Sequence, residues 1–156
     1  MQGDEKAGRW KPVMLLKDIR DYMASLNIAE AEKCYMGLMP DKEEKSIGVY
    51  HLRSGRQAVT PTPIGGQGNR SYGVKAVLVL IHWNRSPTET EEAAVKVYQR
   101  LQNTQEQEIN GHRIKFIQMN QDEPVSVDTD ESGIFEYVME CLIYYESEEE
   151  EEECQI

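Results

Sequence analysis

From Leu15 the apolar side chains recur at Leu15, Ile19, Tyr22, Met23 and Leu26. Offsets of 4, 7, 8 and 11 put all five on one face of a helix, and Asn27 is a suitable stop. Lys33–Met39 alternates loosely until Pro40 and predicts a strand. Asp41–Lys45 is a charged turn, and Ser46–Leu52 predicts a second short strand. Ser71–Trp83, SYGVKAVLVLIHW, is different in kind: Val74, Ala76, Leu78 and Leu80 line one face while Val77, Val79, Ile81 and Trp83 line the other. A strand apolar on both faces needs cover on both, so it is central in its sheet or meets another subunit.

The second half is as well punctuated. Ser86-Pro87-Thr88-Glu89 is a helix start: Ser86 can accept from the Glu89 amide, Glu89 can reach back, and Pro87 occupies the first position, where no donor is missed. The helix buries Ala93, Ala94, Val97, Tyr98 and Leu101. Asn110-Gly111 is a tight turn, because both residues accept positive φ. Arg113–Asn120 predicts a strand with Ile114 and Phe116 on one face, and Pro124–Val127 a short edge piece. Ile134–Glu146 fits either period, but its tyrosines and β-branched residues favour a strand with Phe135, Tyr137, Met139, Cys141, Ile143 and Tyr145 on one face. Two helices and six strands in this order predict an α+β domain: a mainly antiparallel mixed sheet with both helices packed on one face.

Between the strands at Ser46 and Ser71 runs Arg53–Arg70, RSGRQAVTPTPIGGQGNR, with four glycines, two prolines, three arginines and no acidic residue. Loops this long without structure of their own are usually functional or disordered. The contrast with the rest is sharp, since the 156-residue chain carries a formal net charge of −11. Six of those charges are the run Glu148–Glu153, which leaves a mildly acidic body of −5. That body disfavours general adhesion to nucleic acid or anionic membrane. The expected organisation is a flexible leader over 1–13, one domain over 14–146 and an acidic disordered tail over 147–156. No apolar run approaches the roughly 20 residues that span a bilayer, and the leader has no signal-peptide core.

Candidate chemistry is sparse. The cysteines, Cys34, Cys141 and Cys154, are odd in number and form no CxxC pair, which suits inert thiols in a reduced setting. His51, His82 and His112 are 31 and 30 residues apart with no HxxxH or HExxH pair, so their spacing predicts no metal site. GGQGNRS lacks the GK[ST] ending of a phosphate loop and precedes a strand. Asp128–Gly133 imitates the start of a calcium loop, but the twelfth position is Met139, so an ordinary acidic turn is expected. Asp122, Glu123, Asp128, Asp130 and Glu131 read as a solvated face rather than an acid/base pair. The expectation is a non-enzymatic protein without a cofactor. Tyr144-Tyr145, the two-faced strand and the arginine loop suit protein contact instead.

The succession LLKDIRDYMASL, YMGLMP, IGVYHL, the arginine loop, YGVKAVLVLIHW, SPTETEEAAVKVYQRL and DEPVSVDTDESGIFEYVMECLIYYE resembles the minor capsid and tail terminator proteins of long-tailed bacteriophages, the lambda tail terminator-like group, over about residues 14 to 146. The resemblance implies a virion subunit at the tail top, assembled in the host cytoplasm as a hexameric ring. The ring stops growth of the tail tube and offers the head-tail joining surface. Its partners would be its own copies, the tail tube protein and a head-tail connector, with no membrane or sequence-specific nucleic acid. The family's mobile inter-strand loop falls on Arg53–Arg70, so Arg53, Arg56 and Arg70 are expected to pair acidic groups on partners as the loop orders. Gln67 and Tyr72 complete the expected partner-binding set. A head-completion or connector-stopper protein, and an unrelated cytoplasmic ligand-binding α+β domain, are the alternatives.

Overall fold

The computed structural model describes residues 9–10, 12–40, 42–53, 62–147 and 150–151. In chain order its elements are β1 (Arg9–Trp10), α1 (Leu16–Ser25), β2 (Cys34–Met36), β3 (Ser46–His51), β4 (Gly73–His82), α2 (Pro87–Gln102), β5 (Gln105–Ile109), β6 (His112–Met119), β7 (Val125–Thr129), β8 (Phe135–Ser147) and β9 (Glu150–Glu151). Seven strands form one sheet in the order β2-β3-β4-β8-β6-β5, with β7 also paired to β8. Among the described strands only the β2–β3 pair is parallel, so the predicted α+β architecture with a mainly antiparallel mixed sheet holds. β1 and β9 pair as a separate two-stranded ribbon. That ribbon lies in the stretches assigned to leader and tail.

The two-faced strand is central, as its pattern requires: β4 pairs β3 on one side and β8 on the other. On one face Ile47, Val49, Val77, Val79, Ile81, Met139, Cys141 and Ile143 are buried together with Ile19 and Met23 of α1 and Ala94, Val97 and Leu101 of α2. Both helices therefore bury their apolar stripes against this face. Here burial pushes the Cys141 thiol up to about 12 and also raises Cys34, which leaves both protonated and unreactive.

Several local expectations need correction. Leu15 caps α1 instead of joining its buried face and is 58% exposed. Its amide donates to Asp18 Oδ2 at 2.8 Å. Asn27, at φ 61, does end the helix. β2 is only Cys34–Met36: Lys33 belongs to a 3-10 turn, and Gly37 turns away at φ 83. Ser86 Oγ accepts from the Glu89 amide at 3.2 Å, but Glu89 does not reach back, because Asn84 Nδ2 donates to its carboxylate at 2.8 Å. β5 had no counterpart in the sequence pattern, since QEQEI offers no apolar face. It is an edge strand held by β6 through the Asn110-Gly111 turn, at φ 53 and 84.

A buried polar chain ties the start of α1 to the sheet. His112 Nε2 lies 3.3 Å from Asp18, whose other oxygen accepts from Asn110 Nδ2 at 2.8 Å. On the far side of the ring, His112 Nδ1 meets Ser147 Oγ, which donates to the Pro12 carbonyl at 2.7 Å. Met14 N donates to Tyr145 Oη at 3.1 Å. The Tyr145 ring sits over Gly73, where an added Cβ would come within 2.6 Å of it. Gly73→Ala should therefore displace Tyr145 and cost about 1–3 kcal/mol in urea unfolding. An unchanged midpoint would show that the ring is not confined there.

Asp21 supplies the pH dependence of this corner. Hydrogen bonds from Lys17, then Asn110, hold its carboxyl at about 2 against a small opposing effect of burial. A folded-state value below the ordinary 3.8 stabilises above pH about 4 and is lost as pH falls toward 2. Asp21→Asn should be less stable than the parent at pH 6, and the gap should close by pH 2 in parallel acid titrations followed by circular dichroism.

Candidate functional site

The other face of the sheet carries no helix among the described residues. Val74, Ala76, Leu78 and Leu80 of β4 and Val138 and Tyr144 of β8 are only half-buried there. Phe116, Tyr72 and Val125 are exposed, at 46%, 36% and 41%. Three of these rings form a ladder: Phe116 stacks on Tyr144 with centroids 4.5 Å apart and planes 13° apart, and Tyr72 stacks on Tyr144 at 6.0 Å.

Phe116 is here because of a bulge. The β6–β8 register shifts between Ile114, opposite Tyr145, and Phe116, opposite Tyr144. The extra residue breaks the two-residue alternation, so Ile114 and Phe116 lie on opposite faces instead of the one face expected. Ile114 is fully buried and Ile117 takes the next place in the core. Truncation at the two positions should therefore differ: Ile114→Ala should cost about 2–5 kcal/mol and Phe116→Ala about 1 kcal/mol. Equal losses by denaturant titration would contradict the bulge.

The arginine loop joins the adjacent antiparallel strands β3 and β4, so both its ends leave one end of the sheet. It is not structureless throughout. Gly66 N donates to the Pro63 carbonyl at 3.0 Å, and Gln67–Asn69 form a 3-10 turn closed by Asn69 Nδ2 donating to the Ile64 carbonyl at 2.9 Å. Ile64 is 99% exposed. Arg53 is exposed just after β3, at a cleft of about 370 Å³ that it lines with Leu16, Gly37, Tyr50, His51 and Leu78. Gln67 opens the 3-10 turn, Arg70 is half-buried before β4, and Tyr72 is the outer ring of the ladder. Arg56 lies outside the described residues. The structure thus joins Tyr72 to Tyr144 and Phe116, and places Arg53 and Arg70 on the two arms of one hairpin connection.

The calcium-like turn has another use. Asp130 Oδ1 accepts from the amides of Ser132 and Ile134 at 2.8 and 3.0 Å, while Oδ2 lies 2.7 Å from His82 Nε2. Met139, the twelfth position of the motif, is wholly buried in the core. Burial raises Asp130, but the His82 hydrogen bond and the two amides outweigh it and hold the carboxyl below its ordinary value. Burial raises Glu136, with His82 opposing. His82 is buried at 4%, and no local spacing announced its partners, which are 48 and 54 residues away in the chain.

Residues 6–146 match the family model described as bacteriophage tail terminator protein, and the chain belongs to that family. It is a phage tail structural protein, and the family places it with virion assembly. No curated protein sequence matches the chain. No helix among the described residues is long and apolar enough to cross a membrane.

Proposed function

We propose that this chain assembles into a ring that caps the tail tube and presents the surface joining tail to head. The observation that carries the reading is a sheet with one face packed under two helices and an apolar aromatic face that no helix among the described residues covers, in a member of the tail terminator family. A contiguous aromatic patch flanked by arginine is the composition that subunit contacts favour, since planar groups bury area at modest entropic cost. In this reading Tyr72, Tyr144 and Phe116 meet a neighbouring subunit. Arg53, Arg56, Gln67 and Arg70 engage acidic groups on the tube or on sibling subunits, and the ring is hexameric as the resemblance implies. The net charge of −11 suits a ring through which DNA passes without adhering. Assembly takes place in the host cytoplasm, and the finished position is the tail top of the virion.

The triple variant Arg53→Glu, Arg56→Glu, Arg70→Glu should melt like the parent yet fail to stop tube growth, measured as tube length by electron microscopy with light scattering of the free protein. Tubes of normal length with the variant would remove the loop from the mechanism. Binding of the parent to the portal-side complex in preference to tubes would favour the stopper role.

A further inference from the structure

At the end of the sheet away from the arginine loop, His82, Asp130 and Glu136 bring one ligand atom each to within 4.8 Å of one another. The three come from rigid or tightly tied positions. His82 and Glu136 are direct cross-strand partners at the end of the β4–β8 ladder. Asp130 is fixed by the two amides on its other oxygen. His82 is fixed from behind, because its Nδ1 lies 2.7 Å from the Glu43 carbonyl. A carbonyl only accepts, so Nδ1 carries a proton and Nε2 is the atom turned toward both carboxylates.

We propose that His82 Nε2, Asp130 Oδ2 and Glu136 Oε2 form a binding site for a divalent transition-metal ion of the zinc class. Nε2 is 2.7 Å from the Asp130 oxygen and 3.9 Å from that of Glu136. A tetrahedral ion with bonds near 2.0–2.1 Å holds its ligands about 3.3 Å apart, midway between those separations. Loading would part the His82–Asp130 pair and draw Glu136 inward, with the carboxylate–carboxylate edge already within 4.8 Å. A histidine whose other nitrogen is held by a carbonyl, beside a carboxylate braced by amides, is the outer-shell support such ions favour. Two carboxylates balance a divalent charge, and their partial exposure, 25% and 21%, leaves a path for the ion and a solvent position for its fourth ligand. The nearby cation Arg85 is turned away, to Glu44 at 3.2 Å and the Ser132 carbonyl at 3.1 Å. An imidazole ligand selects zinc-like ions over magnesium and calcium, which take all-oxygen sites. Loaded, the ion would join the Glu43 segment, the end of β4 and the β7–β8 turn. This proposal is independent of the ring reading.

Calorimetric titration of the full chain with Zn²⁺ should show one site per chain that weakens more than about tenfold in His82→Gln and in Glu136→Gln, while Glu44→Gln and Cys154→Ser retain it. Zn²⁺ should raise the melting temperature of the parent and of these two controls but not of the site variants, and Mg²⁺ at equal concentration should not. Glu136→Gln leaves the His82–Asp130 hydrogen bond in place, so it reads the site even where His82→Gln folds poorly. Zn²⁺ binding unchanged in Glu136→Gln, or an equal response to Mg²⁺, would overturn the site.

Discussion

The register between β4 and β8 is the constraint on which everything else rests. Its antiparallel ladder runs from Gly73 opposite Tyr145 to His82 opposite Glu136 without interruption. Because successive residues point to opposite faces, this one alignment sends Val77, Val79, Ile81, Met139, Cys141 and Ile143 under the helices and leaves Val74, Leu78, Leu80, Val138 and Tyr144 on the other side. A slip of one residue would exchange the two sets and set Glu136 and Glu140 against α2, which burial of unpaired carboxylates forbids. The same alignment stacks Gly73 beneath Tyr145 at one end and sets His82 beside Glu136 at the other. Core, open face and both ends of the sheet are consequences of one pairing.

The open face follows from the economy of a small domain. Both helices, α1 and α2, pack on one side of the seven-stranded sheet, and no helix among the described residues covers the other. The uncovered side then keeps apolar side chains that a solitary protein has little reason to retain, and membership of a tail structural family supplies a reason. The aromatic ladder and the arginine connection lie toward the same end of β4, where Tyr72 leads into Gly73.

The fold was legible wherever one segment's own periodicity decides its burial. The capped α2, the burial of Ala93, Ala94, Val97, Tyr98 and Leu101, the Asn110-Gly111 turn and the strand nature of β8 all follow from local pattern. What the sequence hid was set by partners distant in the chain. β5 has no apolar stripe and exists because β6 offers it a hydrogen-bonding edge. The face on which Phe116 stands is decided by an alignment with β8 that no reading of Arg113–Asn120 contains. Of the candidate site, Tyr144 and the arginine loop already stand out in the sequence as expected contact chemistry. The turn within residues 62–70 and the joining of Tyr72 to Phe116 do not, because side chains and neighbouring strands create them. His82 looked like a solitary histidine for the same reason.

The bulge beside Lys115 carries an implication for how such surfaces diversify. One added residue, with no change in any side chain, transfers an aromatic ring from the interior to the exterior of the same strand. Strand length is then an inheritable variable in its own right. A lineage can acquire or lose a contact surface through a three-nucleotide insertion or deletion, leaving its alphabet of core residues intact, and two descendants of nearly equal composition can present different faces to their neighbours.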